Sequence, residues 1–172
     1  MIAQELALTH PERVASLASI MSTTGDPDVG HPRDDVRHVL TTRAPTDREG
    51  YADNAVANRL LYGSPGVQDT EALRAFALSA YDRAFDPAGV ARQYAAIQAA
   101  DSRTERLAQL TVPTLVIHGD ADGLIDASGG RRTAQAVPGS RLEIVEGMGH
   151  DLHPAFWDRL VDLVADHALA NP

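Results

Sequence analysis

The chain of 172 residues contains no cysteine. Disulfides, cysteine-ligated zinc, iron–sulfur clusters and a cysteine nucleophile are thereby excluded. Lysine is absent too, since all 15 basic residues are arginine. That removes a Walker-type phosphate loop and a Schiff-base lysine. Positive charge is in short supply: 24 acidic residues leave a net charge of −9. Phosphate contacts need basic patches, so neither nucleic acid nor an anionic membrane is an expected partner. No apolar run approaches the roughly 18 residues of a membrane span. The opening segment, Met1–His10, lacks the basic flank of a signal peptide, and a cytoplasmic location is the default expectation. What is present suits one globular domain, at 44% hydrophobic and 23% charged residues, long enough to bury a core.

Ile2, Ala3, Leu6 and Ala7 follow helical spacing, yet no capping residue precedes them. Either the start of a larger domain is missing or a terminal helix frays there. Val14–Met21 (VASLASIM) reads as a short buried strand. Ser22–Gly30 is dense in turn formers and reads as a loop. From Pro32 to about Gln109 only helices are predicted: Arg33–Thr42, Asp47–Leu61, Thr70–Arg83, Pro87–Ala100 and Thr104–Leu110. Asp86 ahead of Pro87 is a helix-start signal, and Asp101–Ser102 is taken as another. Val112–His118 is a strand apolar on both faces, followed by Gly119–Gly123. A helix over Ala127–Ala136, a strand over Arg141–Val145 and a tight turn at Gly147–His150 come next. The last helix, Ala155–Ala168, carries Phe156, Leu160, Leu163, Val164 and His167 on one stripe.

Helix–strand at one end and strand–helix–strand–helix at the other is the order of a parallel sheet with crossovers, an α/β fold. Residues 1–30 and 110–172 would form its core, and residues 31–109 a helical cap. Ligands gather at the carboxyl ends of parallel strands. Three loops answer to that edge: Ser22–Gly30, Gly119–Ile125 and Gly147–His153. One presents Asp120 and Asp122, another His150. A carboxylate beside an imidazole fixes its tautomer and stabilises the imidazolium, which is the orienting half of an acid–base–nucleophile relay. Asp122 is the better candidate for that acid, with Asp120 forming the loop.

A lone histidine is more often a surface or capping residue, and His10, His31, His38 and His167 are read that way. His118, Asp120, Asp122, His150, Asp151 and His153 include metal-ligand types, but no H-E-x-x-H helix supports a metal site. The aromatics Tyr51, Tyr62, Phe76, Tyr81, Phe85 and Tyr94 are expected mostly to pack helices, with a few lining an apolar pocket.

The strings HGDADGLI and VPGSRLEIVEGMGHDL resemble the carboxyl-terminal half of the α/β-hydrolase superfamily. There a strand ends in an H-G-x-x-D segment bearing the triad acid, and a later G-x-G-H segment bears the triad histidine. The resemblance implies those roles for Asp122 and His150. VPTLVIHG and the final amphipathic helix match the last core elements. STTG at Ser22–Gly25, followed by a helical segment, is similar to the aclacinomycin methylesterase-like branch. The family's G-x-S-x-G elbow, which carries the nucleophilic serine, is missing. Gly63–Gly66 (GSPG) has the wrong spacing. The helix Met1–His10 resembles the one that follows the elbow, so the serine is expected upstream of Met1.

The function expected from the resemblance is hydrolysis of carboxylic esters, such as methyl esters of a small apolar substrate, with no cofactor and with the isolated chain inactive. Two alternatives stand beside it. One is a non-catalytic binding module, self-associating through the bare edge of the strand Val14–Met21. The other is lactone opening or haloperoxidase-type chemistry on the same fold.

Overall fold

A computed structural model describes residues 1–172. Its centre is a three-stranded sheet of β1 (Leu17–Ile20), β2 (Thr114–Gly119) and β3 (Arg141–Val145), in the order β1-β2-β3. Both pairings are parallel, with Leu17 opposite Thr114, Ile20 opposite Ile117, and Gly119 opposite Val145. Every residue of β2 is buried. This is why the sequence there is apolar without alternation, as expected of a central parallel strand.

Seven helices surround the sheet: α1 (Ile2–Thr9), α2 (Arg48–Tyr62), α3 (Thr70–Arg83), α4 (Pro87–Ala99), α5 (Thr104–Leu107), α6 (Ala127–Ala136) and α7 (Trp157–Ala170). One face of the sheet packs Leu17 against Ala7 of α1, Leu107 of α5 and Val137 beyond α6. The other face packs Leu115, Ile117 and Val145 against Leu160 and Leu163 of α7. Leu115 is fully buried in that second cluster. Leu115→Ala is expected to cost about 3 kcal/mol in urea unfolding, the transfer loss plus the cavity left behind. No helix is long and apolar enough to cross a membrane.

Side-chain caps set most helix starts. Asp47, Asp69, Asp86 and Asp126 each accept a backbone N–H from the first turn of α2, α3, α4 and α6. Asp86 acts together with Pro87 at the first helical position, as its sequence predicts. Met1 makes no side-chain cap to α1.

Several boundaries differ from those expected. The strand predicted over Val14–Met21 is only Leu17–Ile20. Val14 closes a 3-10 turn over Pro11–Arg13, and pairing begins where the Leu17 N–H meets the Pro113 carbonyl at 2.9 Å. The strand predicted from Val112 starts at Thr114, because Pro113 has no N–H for a ladder. The helix predicted over Arg33–Thr42 is reduced to a 3-10 turn at Arg37–Leu40. Only Val36 of that segment is buried, so no apolar stripe holds a longer helix against a neighbour. The helix expected over Thr104–Leu110 ends at Leu107, followed by an i to i+3 bond from Leu110. Its cap position is Arg103 rather than Asp101 or Ser102. The last helix begins at Trp157, after a 3-10 turn over Pro154–Phe156.

Between β1 and β2 the chain forms helices and loops but no strand, and α2 and α3 pack as a pair. Tyr51 and Tyr81 lie 5.5 Å apart by ring centroids, and Phe85 stacks on Tyr81 at 4.6 Å. Arg48 grips Asp82 with two bonds of 2.7 Å, and Arg74 bridges Glu49 and Asp53.

Candidate active site

All three strands run the same way, so the loops after β1, β2 and β3 emerge at one edge. They meet at an open cleft of about 700 Å³, walled by Met21, Val29, Leu40, Ile97, Leu124 and Ile125 and reached by His150. At the end of β1, Met21 adopts a left-handed backbone with φ 47°. Non-glycine residues rarely adopt that conformation, and those that do cluster at functional sites. Behind the wall, the buried Arg103 donates to Gln4 of α1 and to the Thr23 carbonyl, both at 2.9 Å. Burial without a bonded carboxylate lowers its pKa.

Asp122 lies just past β2 and its side chain is wholly buried. Oδ1 accepts the N–H groups of Leu124 and Ile125, both at 2.9 Å, which folds the loop over the carboxylate. Oδ2 accepts from His150 Nδ1 at 2.8 Å. A carboxylate can only accept, so the proton sits on Nδ1 and the lone pair of Nε2 is free. Burial pushes the Asp122 pKa upward, but hydrogen bonds from His118 and His150 and the nearby His150 charge outweigh it, leaving it at about 2. The residue therefore combines the loop-forming and carboxylate functions that its sequence position had divided between Asp120 and Asp122. Asp120 is exposed and accepts the Gly147 N–H at 2.7 Å. It is turned away from His150, and no group of three or more His, Asp or Glu side chains is placed to hold a metal ion.

His118 is a partner that sequence reasoning weighed only as a metal ligand. Its ring is fully buried, donates from Nε2 to the Ile125 carbonyl at 2.8 Å, and lies 3.4 Å from Asp122 Oδ2. Its Nδ1 has no partner. A Cβ on Gly130 of α6 would stand 2.5 Å from that nitrogen, so only glycine lets α6 cover the ring. The available signal was the spacing His118-x-x-x-Asp122 at the end of a wholly buried strand.

The remaining candidates are scattered. His31 borders the cleft, and His167 donates to the Pro113 carbonyl at 3.2 Å. His153 caps the turn that follows it. Among the aromatics, Tyr51, Tyr81 and Phe85 form the helix-packing cluster, and Tyr94 borders the cleft. Tyr62 stands edge-on to the His150 ring at 6.2 Å. Phe76 is 67% exposed and lies outside both the aromatic cluster and the cleft, contrary to the expectation for the group.

Comparison with known proteins follows the same lines. The family described as serine aminopeptidase, S33, matches residues 68–154, half of the chain. The rhodomycin D methylesterase DauP of Streptomyces sp. (strain C5) is 29% identical over 191 residues, covering 98% of this chain and 63% of the relative. Among solved structures, the esterase RhEst1 from Rhodococcus sp. ECU1013 is similar with a TM-score of 0.74 and 21% identity. That match covers 99% of this chain and 62% of the esterase. The enol-lactonase from Burkholderia xenovorans LB400 is similar with a TM-score of 0.72 and 25% identity, over 97% of this chain and 61% of the other. The chain thus spans less than two thirds of the length of each of these relatives.

Proposed function

The chain belongs to the α/β-hydrolase superfamily, and on that premise we propose that it supplies the acid and the base of a serine-type hydrolase of carboxylic esters. The observation carrying this reading is the 2.8 Å contact between Asp122 Oδ2 and His150 Nδ1 at the carboxyl edge of the sheet, beside an open cleft of mixed apolar and polar lining. In the proposed cycle, His150 Nε2 takes the proton of a serine hydroxyl as its oxygen attacks the ester carbonyl. The tetrahedral intermediate collapses and the bond to the alkoxide breaks. His150 returns the proton to that leaving oxygen. Water, deprotonated by the same nitrogen, then attacks the acyl-enzyme; the bond to the serine oxygen breaks, His150 returns the proton to that oxygen, and the free acid leaves. Asp122 keeps Nδ1 protonated throughout and stabilises the imidazolium.

On this reading the serine is supplied by a G-x-S-x-G segment, a string that does not occur among these 172 residues. The helical block between β1 and β2 serves as the cap, with Tyr94 and Ile97 of α4 over the cleft. The apolar side chains among the cleft lining and the methylesterase relative favour a methyl ester of an apolar acid. The enol-lactonase likeness keeps lactone opening as the second reading, for the same pair would serve it.

The chain alone is expected to show no His150-dependent hydrolysis of p-nitrophenyl acetate. Joined in frame to an upstream segment bearing G-x-S-x-G, it should hydrolyse the ester, and His150→Ala should lower kcat by at least about ten-thousand-fold. Hydrolysis by the isolated chain that survives His150→Ala would overturn the assignment. The binding-module alternative rests on β1, which pairs on one side only. It predicts a dimer by light scattering and no gain of activity on fusion.

A further inference from the structure

The loop carrying His150 is fastened on two sides: Gly147 and Met148 bond to Asp120 and Ala121 beyond β2, and the next three residues bond to the helical block. Three consecutive residues each reach the turn that closes α2. The Gly149 N–H donates to Ser64 Oγ at 2.9 Å. The His150 N–H donates to the Tyr62 carbonyl at 2.8 Å. The Asp151 carboxylate accepts the Ser64 hydroxyl at 2.5 Å, the Ser64 N–H at 3.2 Å and Gln68 Nε2 at 2.7 Å, with Arg59 of α2 at 3.7 Å. Its side chain is 1% exposed.

A carboxylate this deep is costly unless every lone pair is used, and apolar residues of the same volume would join two surfaces at least as stably. What the carboxylate adds is geometry. Its donors come from one short stretch, Arg59–Gln68, and fix the 62–64 turn against the 149–151 loop in a single arrangement. The main chain of His150 is then held by the helical block while its ring is held by Asp122 of the sheet.

We propose that Ser64 and Asp151 are positioning residues that latch the helical block to the His150 loop, so that the imidazole meets Asp122 only while the block is docked. This rests on the reading of His150 as the base. The latch works through neighbours: Ser64 and Asp151 touch no reacting atom, and undocking withdraws the acceptors of the Gly149 and His150 amides. Block closure and assembly of the base become one event.

The test uses the full chain labelled with 15N-histidine. Long-range 1H–15N correlation reports which ring nitrogen of His150 bears the proton, and exchange with water reports how often its bond to Asp122 opens. Wild type should show the Nδ1–H form. Ser64→Ala and Asp151→Asn should each speed exchange of that proton about tenfold, the factor expected from losing one buried hydrogen bond, with β2 amide shifts retained. Arg74→Ala breaks exposed pairs inside the block without touching the latch and should leave the His150 signals unchanged. If Asp151→Asn and Ser64→Ala fail to fold, Gln68→Ala at the half-buried rim carries the test, with a smaller acceleration. Wild-type exchange in the folded latch variants would overturn the latch alone. A wild-type chain without the Nδ1–H form would overturn the acid–base reading itself.

Discussion

Ester hydrolysis by the complete enzyme is expected to fall about ten-thousand-fold when Asp122 is replaced by asparagine, with the fold kept at neutral pH. The carboxamide oxygen of Asp122→Asn can still accept the Leu124 and Ile125 N–H groups, so the loop survives. Its NH2 group then faces His150 Nδ1 and His118, where a carboxylate oxygen stood. A donor there forces Nδ1 to accept, moves the ring proton to Nε2, and blocks the nitrogen that must take the serine proton. Steady-state kcat on a p-nitrophenyl ester measures the loss, and a drop below tenfold would remove Asp122 from the acid position. The same substitution has a signature in stability. Burial raises the Asp122 pKa, yet its imidazole partners bring it below the ordinary 3.8 to about 2. A carboxylate depressed on folding stabilises the fold above its unfolded pKa and loses that contribution as pH falls through the folded one. Wild type should therefore lose about 2 kcal/mol between roughly pH 4 and pH 2, and Asp122→Asn should lack this segment of the curve. Denaturant midpoints across that range read it directly.

The sheet, the loops at its edge and the Asp122–His150 pair were legible because each is written in local sequence. Apolar residues without alternation mark β2, turn formers mark each strand end, and an acid and a histidine fall in corresponding loops. Neighbouring parallel strands then supply the contact. The segment Arg33–Thr42 does not form the helix that its sequence suggests, because Val36 alone is buried there and no apolar stripe anchors a helix. The role of Ser64 was hidden for another reason. Its partner Asp151 lies 87 residues away, and no periodicity links the turn after α2 to the loop after β3. GSPG looked only like a failed elbow, although its serine hydroxyl is fully bonded. For His118 the spacing to Asp122 was local, but the cover that buries its ring comes from Gly130 of α6, which no local pattern shows.

Gly149→Ala is expected to unseat the His150 loop with a single added methyl group. A Cβ there would lie 2.2 Å from the Gly63 carbonyl carbon, 2.4 Å from the Ser64 nitrogen and 2.5 Å from the Gly63 oxygen. These are main-chain atoms, so no side chain can rotate aside. Gly63 is hemmed in from behind, where a Cβ would meet the Arg59 carbonyl at 2.7 Å and Asp151 Oδ2 at 2.8 Å. The two turns can accept the methyl only by separating, which breaks the bonds of Gly149, His150 and Asp151 together. Overpacking of this kind costs about 3 kcal/mol, read as a fall in the urea midpoint. Gly139→Ala is the matched control. Gly139 has φ +71° with nothing within 4 Å, so alanine there meets only left-handed strain of about 1 kcal/mol. Because the 149–151 loop is held by the helical block, Gly149→Ala should also abolish the His150 Nδ1–H signal in whatever fraction keeps β2 folded. Gly139→Ala should retain it. Equal losses in the two variants would mean that the 63–64 turn yields easily, and a contact that yields easily cannot set the position of the base.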